Sequence, residues 1–357
     1  MNKNKVLFWD SSVSDMKKGR AFGGIAVQLN FWMQIFANNG WSVHALTVDS
    51  DYIEEDVFYH HVHHIHSMEL VWEWLCIYRI VQRIHPSLII CRGAKRLLFP
   101  LCTIAHRLGA KVILQGASDV NFIPGKATVG NNINCRLYEA AIGKIDYIIC
   151  QNEYQASTLK QNYNRYSLII PNIWGSMHIS PASEAPSPEV VWVGNFRHLK
   201  RPGWFFEAAR ILPDIKFAIA GGAANPELYN QMEHEAKSIP NLEFIGQIPI
   251  EKSNALIGNA KLLICSSEYE GFPNTFLQAW AAGVPVVSTV DPNDLIKTYN
   301  LGIIVDSPES LVAAIEKLTK DNGLYQTLQR SINSYFSVHH SAQICFENLM
   351  KYISDNE

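Results

Sequence analysis

The sequence predicts an α/β protein made of two doubly wound parallel-sheet domains. Three observations carry this reading. The chain has 357 residues, which favours two cores over one. A strand, a glycine turn, a helix, a second glycine and a second strand open the chain, and the same pattern starts again near residue 190. The stretch 261–288 reads as a buried strand, a turn, a helix and another buried strand.

The first domain is read over 1–172. Lys5–Trp9 is its opening strand, followed by a polar loop, Asp10–Arg20. A helix runs from about Gly23-Gly24-Ile25 to Asn39, Gly40 ends it, and Trp41–Thr47 is the next strand. His60, His61, His63, His64 and His66 crowd one short stretch. Alternation divides them between two faces of a strand, and no acidic or cysteine ligand sits at a telling spacing. Leu70–His85 is an amphipathic aromatic helix, read as packing on the core, with a membrane-facing surface as the alternative. Ser87–Cys91 and Lys111–Leu114 are strands. Ligands of such sheets sit at strand carboxyl ends, which makes Arg92 and Asp119 candidates for an acceptor side. Asp146–Cys150 is the last full strand, and Ser167–Asn172 closes the domain.

A Pro- and Ser-rich segment, 173–188, reads as a linker, and the second domain spans 189–335. Val190–Val193 is a strand, Gly194–Pro202 a loop, and a helix runs to Leu212 before the strand Lys216–Ala220. That loop carries Arg197, Lys200 and Arg201, enough positive charge to hold a diphosphate. Gly221-Gly222-Ala223 follows the next strand, and 242–248 forms a further strand and loop. Glu309–Lys320 and Tyr325–Ile353 read as helices.

The stretch Ser266–Gly283 is the most informative. Gly271 and Pro273 mark a turn between an apolar strand and a helix that Asn274 or Thr275 can cap and Gly283 can end. Free N–H groups and the positive end of a helix dipole make such a turn an anion site. Glu270 stands beside it, better suited to sugar hydroxyls than to phosphate. Thr275, Gln278, Ala279 and Ala282 share a helix face, and Gln278 can both donate to and accept from a diol.

These residues resemble the donor-site signature of family-4 retaining glycosyltransferases of the GT-B fold. Glu270, followed by Gly271-Phe272-Pro273, matches the first glutamate of that signature; Gln278 stands where the family has a second. Gly194 and Lys200 match the family's Gly-Arg…Lys loop, with Asn195 at the arginine position and Arg197 as the substitute charge. Gly23-Gly24 matches a glycine pair near the donor phosphates. The resemblance implies two Rossmann-like domains facing a central cleft, and a terminal helix, 336–357, that crosses back to the first. It implies transfer of a sugar, with retention, from a UDP- or GDP-sugar to a hydroxyl of a glycan or lipid-linked acceptor, as in bacterial surface-polysaccharide assembly. Donor contacts are expected from Gly23, Gly24, Gly194, Asn195, Gly222, Ile248, 271–275 (Gly271, Phe272, Pro273, Asn274, Thr275) and Gln278. Glu270, Lys200, Arg197 and Asp119 are expected to carry the chemistry, without a metal or other cofactor. Two other classes share the fold: a nucleotide-sugar 2-epimerase, and a catalytically inactive partner subunit.

Composition limits the alternatives. No Gly-x-Gly-x-x-Gly or Gly-Lys-Ser/Thr loop occurs, which argues against dehydrogenase and P-loop readings. Seven scattered cysteines without a Cys-x-x-Cys point away from a disulfide framework or zinc site and towards a reducing, cytoplasmic setting. Residues 1–8 read as a charged start into a strand rather than a leader. Residues 1–170 hold 17 Lys/Arg against 13 Asp/Glu, and 171–357 hold 13 against 20. A basic first half suits an anionic acceptor or a peripheral contact with an anionic inner membrane face, with no role for nucleic acid.

Overall fold

The computed structural model describes residues 4–18, 23–61, 69–127, 129, 131–174, 188–270 and 272–356, with backbone alone for 69–73. The chain divides into two compact units, Met1–Ile173 with Ala342–Glu357, and Trp174–Ser341.

The first unit contains β1 (Lys5–Phe8), α1 (Ser12–Lys17), α2 (Gly24–Asn38), β2 (Ser42–Thr47), β3 (Tyr52–Glu54), β4 (Val57–His61), α3 (Glu69–Ile84), β5 (Leu88–Arg92), α4 (Leu98–Arg107), β6 (Lys111–Gln115), a 3-10 turn (Asp119–Phe122), α5 (Asn132–Ile142), β7 (Tyr147–Cys150), α6 (Glu153–Tyr163) and β8 (Leu168–Ile169). Its sheet runs β3-β4-β2-β1-β5-β6-β7-β8. Only the β3–β4 pair is antiparallel among these strands. Strand order reverses between β1 and β5. The central strands are continuous apolar runs because helices cover both faces, and Val6, Leu7, Ile89, Ile90, Val112 and Ile113 are fully buried.

The second unit contains β9 (Val190–Val193), a 3-10 turn (His198–Lys200), α7 (Pro202–Ile211), β10 (Phe217–Ala220), α8 (Pro226–Ala236), β11 (Leu242–Gly246), α9 (Ile250–Gly258), β12 (Leu262–Cys265), α10 (Asn274–Ala281), β13 (Val286–Ser288), α11 (Leu295–Tyr299), β14 (Gly302–Ile304), α12 (Pro308–Lys320) and α13 (Asn322–His339). Its sheet is wholly parallel in the order β11-β10-β9-β12-β13-β14. Here the order reverses between β9 and β12. Trp174 and Ser341, the first and last residues of this unit, pair as an isolated parallel bridge.

The chain then returns to the first unit as α14 (Ala342–Asp355). Phe346 of α14 meets Phe36 of α2 edge to face at 5.0 Å, and Tyr352 meets Tyr147 at 6.0 Å. The single helix expected over Tyr325–Ile353 is therefore two helices, broken at His340-Ser341. The loop expected over 10–20 holds α1, whose six residues are too few and too polar to show periodicity. Most of the expected linker, 175–187, lies outside the described residues.

The histidine tract resolves into a hydrogen-bonded chain rather than a ligand set. His63, His64 and His66 lie outside the described residues. Among the described residues no group of three or more His, Cys, Asp or Glu could hold a metal. Arg83 can only donate, so its 2.8 Å bond makes His60 Nδ1 an acceptor. His60 Nε2–H then donates to His44 Nδ1 at 2.9 Å, which leaves His44 Nε2–H for Ser42 Oγ at 3.1 Å. Burial, with the His60, Lys5 and Arg83 charges adding to it, lowers the His44 pKa from 6.5 to about 4. The unfolded chain takes up this proton first as pH falls. The contribution of His44 is thus complete above pH 6.5 and lost progressively towards about pH 4. We expect the urea midpoint to fall between pH 7 and pH 5, and His44→Gln to remove part of that fall. An equal fall in the variant contradicts the assignment.

Candidate active site

The second unit places Lys200 and Glu270 at its topological switch point. Lys200 follows β9 and Glu270 follows β12, the two strands between which the sheet order reverses. Adjacent parallel strands that send their connections to opposite sides leave a crevice at their carboxyl ends, and ligands of such sheets bind there. Lys200 Nζ donates to Glu270 Oε1, which also accepts from Ser267 Oγ at 2.8 Å. Both side chains of the ion pair keep partial access to solvent, 25% and 17%.

The loop after β9 is shaped by Phe196. This ring is fully buried against Trp192, Tyr229 and Phe244, at centroid distances of 5.5, 5.2 and 5.4 Å. Its neighbours Asn195 and Arg197 consequently face solvent on the same side. Among the described residues Arg197 makes no ion pair, and its guanidinium stands beside the position that Asn195 leaves uncharged.

The turns after β9 and β10 lie back to back. Phe196 N donates to Gly222 O at 2.9 Å, and Gly194 N to Ala220 O at 3.0 Å. A Cβ on Gly221 would stand 1.7 Å from the Gly194 carbonyl oxygen, and one on Gly222 2.9 Å from Asn195 Oδ1. The same Gly222 position lies 3.5 Å from Gln247 Oε1, next to half-buried Ile248. Gly194, Asn195, Gly222 and Gln247 are thus neighbours. The glycines and Asn195 were legible in the sequence; Gln247 was not singled out.

The Glu270 turn differs from expectation at its helix start. Pro273 occupies the N-cap of α10, and neither Asn274 nor Thr275 caps it, since both already lie inside the helix. A proline at that place has no N–H to donate, and its fixed φ pre-forms the entry. Gly283, at φ +70, follows the helix end. Gly271 lies outside the described residues. Phe272 packs 6.2 Å from Trp280 and 5.8 Å from His340, which anchors the turn. Gln278 is 7% exposed, and its Nε2 donates to Asn254 Oδ1 at 2.6 Å and Ser253 Oγ at 3.1 Å on α9. Its donors face protein, so only its oxygen remains for a diol.

Arg201 also departs from expectation. Counted with Arg197 and Lys200 as a phosphate ligand, it instead donates from Nε to Ser266 O at 2.7 Å and from Nη2 to Ser267 O at 3.0 Å. It joins the two loops rather than facing a ligand.

In the first unit, Gly23 is the N-cap of α2 and Gly24 its first residue, both exposed. Arg92 does not present itself to an acceptor. It is 5% exposed and donates to Gln115 Oε1 at 3.2 Å and Asn172 Oδ1 at 2.6 Å, and burial lowers its pKa to about 10. It ties the ends of β5 and β6 to the last residues of the unit. Asp119 is half-buried, and its Oδ1 accepts from Gln155 Nε2 at 3.0 Å and Asn152 Nδ2 at 3.3 Å. The capping role falls to its neighbour Ser118, with Asn121 in reply. Sequence reading passed over Asp10 and Lys95, which form an ion pair where β1 and β5 part, the switch point of this sheet. Their positions just past two strand ends were the available signal.

Comparison with known proteins places this geometry. Residues 187–321 match the family model for glycosyl transferases group 1. The catalytic-complex component of Arabidopsis thaliana named for phosphatidylinositol N-acetylglucosaminyltransferase is 23% identical over 230 residues, 60% of this chain and 49% of that protein. The lipopolysaccharide core biosynthesis glycosyltransferase LpsE of Rhizobium meliloti is 24% identical over 190 residues, 50% of this chain and 55% of its own. The chain thus spans about half the length of these curated relatives. Among solved structures, the sucrose-phosphate synthase of Thermosynechococcus elongatus superposes with a TM-score of 0.77 at 16% identity, covering 99% of this chain and 100% of that one. A glycosyltransferase of Rickettsia africae gives 0.75 at 13% identity, covering 100% and 99%. The fold is GT-B, and the second unit carries the group 1 domain.

Proposed function

We propose that the protein is a retaining glycosyltransferase that moves a sugar from a nucleoside diphosphate sugar to a hydroxyl of a glycan or lipid-linked acceptor. One observation supports this above the others: a lysine–glutamate pair at the switch point of a sheet whose domain matches the glycosyl transferases group 1 model. In this reading the bond between the anomeric carbon and the diphosphate oxygen breaks, and the acceptor oxygen bonds to that carbon on the same face. The acceptor proton passes to the departing diphosphate, so no separate base is required. Lys200 and Arg197, with the N-terminal N–H groups of α10, stabilise the charge that develops on the leaving group. These fixed groups need no metal. Glu270 orients the sugar hydroxyls, Gln278 Oε1 receives a ribose hydroxyl, and Gly23-Gly24 and Gly194 admit the phosphates closely. Asp119 belongs to the acceptor side. The first unit's basic excess suits an anionic acceptor or membrane surface; among the described residues no helix is long and apolar enough to cross a membrane.

Nucleotide release from UDP-, GDP- and ADP-sugars, with and without a glycan acceptor, tests the reading. Acceptor-dependent release of one nucleotide is expected. An altered sugar with no acceptor present indicates an epimerase, and a chain that binds no nucleotide is an inactive partner subunit; either outcome overturns the proposal. The ion pair adds a signed prediction. Glu270→Gln removes the carboxylate that occupies Lys200 and repels phosphate. It is expected to bind the free nucleoside diphosphate several-fold more tightly while turnover falls by about 10²-fold. Weaker nucleotide binding in calorimetry contradicts the arrangement.

A further inference from the structure

We infer that Arg201 is the positioning residue of the Lys200–Glu270 pair, a role that rests on the donor-site reading above. Arg201 sits between the 3-10 turn His198–Lys200 and α7, and its backbone is left-handed, φ 45 and ψ 53. That conformation is uncommon for any residue but glycine, and asparagine or aspartate are its usual substitutes. Pro202 follows at the first position of α7 and disfavours a right-handed residue before it, so the chain must turn here. A glycine would make the turn without strain. An arginine that holds a strained backbone needs a compensating role, and its guanidinium shows one.

The guanidinium takes the carbonyls of Ser266 and Ser267 together, at 2.7 and 3.0 Å, while its carbon lies 4.3 Å from the Trp204 ring centroid. The strand end replies. Ser266 Oγ donates to the carbonyls of Lys200 and Arg201 at 2.8 and 3.0 Å and receives Trp192 Nε1–H at 3.2 Å. Glu268 N–H reaches Leu199 O at 2.7 Å. The backbone on either side of the ion pair is therefore stitched shut along 199–201 and 266–268. What emerges from that seam is Lys200 on one side and Glu270 on the other. Ser267, whose carbonyl Arg201 grips, sends its hydroxyl to Glu270 Oε1. The planar fork of arginine can span two successive carbonyls; a lysine offers one point donor.

The test uses Arg201→Gly and Arg201→Lys in the full chain, with amide exchange, turnover and nucleotide binding read in parallel. Without ligand, exchange of the Glu268 amide should rise by about tenfold or more in Arg201→Gly while the amides of β9 and β12 keep their protection. Turnover at saturating donor should fall by roughly 10²-fold, as expected when a reacting group is displaced by about an ångström. The Kd for UDP or GDP should change by less than about threefold, because the guanidinium faces protein carbonyls rather than phosphate. Arg201→Lys should restore little of either loss. Unchanged exchange at Glu268 overturns the inference, as does a weakened nucleotide Kd with turnover intact. Exchange rising throughout the unit, with turnover lost only in proportion to the unfolded fraction, also overturns it, because Arg201 is then merely structural. If the wild type binds none of UDP, GDP or ADP, the transferase reading fails, and the exchange experiment still decides whether Arg201 holds the seam.

Discussion

Lys200→Ala is expected to lower kcat/KM for nucleotide release by about 10²–10³. Lys200 is the formal positive charge at the switch point that is already held in place, by Glu270 and by the seam beneath it. A donor fixed before the reaction needs no reorganisation as charge develops on the leaving group, and such donors contribute several kcal/mol to the barrier. The fold should tolerate the change. The lost ion pair is partly solvated, and pairs of that kind are worth about 0–1 kcal/mol. The thermal midpoint is therefore expected to move little while turnover collapses. Lys200→Arg keeps the charge but replaces a point donor with a planar fork, so only partial rescue is expected. A Lys200→Ala protein with wild-type kcat/KM on a donor the wild type consumes removes Lys200 from the chemistry.

Gly221→Ala is expected to destabilise the second unit by about 1–3 kcal/mol or more and to weaken donor use together with it. The obstacle is backbone: the new Cβ falls 1.7 Å from the Gly194 carbonyl oxygen and 2.7 Å from its carbon. No rotamer relieves that contact. The turns after β9 and β10 must separate, and the bonds from Gly194 N to Ala220 O and from Phe196 N to Gly222 O stretch with them. Since Phe196 sets the outward direction of Asn195 and Arg197, the displacement reaches the donor loop. Gly203→Ala is the control. A Cβ there meets nothing within 4 Å and lies inside α7, where alanine is preferred by up to about 1 kcal/mol. An unchanged urea midpoint in Gly221→Ala contradicts the packing.

The contrast between these two glycines shows what the sequence discloses. Both sheets were legible because their central strands are uninterrupted apolar runs, and helices with glycine ends separate them. The switch point was legible too, since Glu270 and the basic loop each follow such a strand. What escaped was everything decided by approach in space. Arg201 reads as one more cation among three, and nothing in the chain announces a left-handed backbone at an arginine. Arg92 reads as a ligand at a strand end, and only the packed Gln115 and Asn172 show that it faces inward. Gln278 reads as a free helix face until α9 closes over its amide. The short helix α1 and the edge strand β3 lack enough residues to display a period.

The return of the chain as α14 has a consequence for biosynthesis. The second unit is one uninterrupted stretch, Trp174–Ser341, and every residue of it has left the ribosome before the first unit is complete. The first unit begins translation earliest yet waits for Phe346, Leu349 and Ile353, whose buried side chains fill the groove beside α2. A nascent chain halted anywhere before residue 342 therefore carries an unfinished leading half with Phe36 uncovered, a natural target for chaperones while the trailing half is already folded.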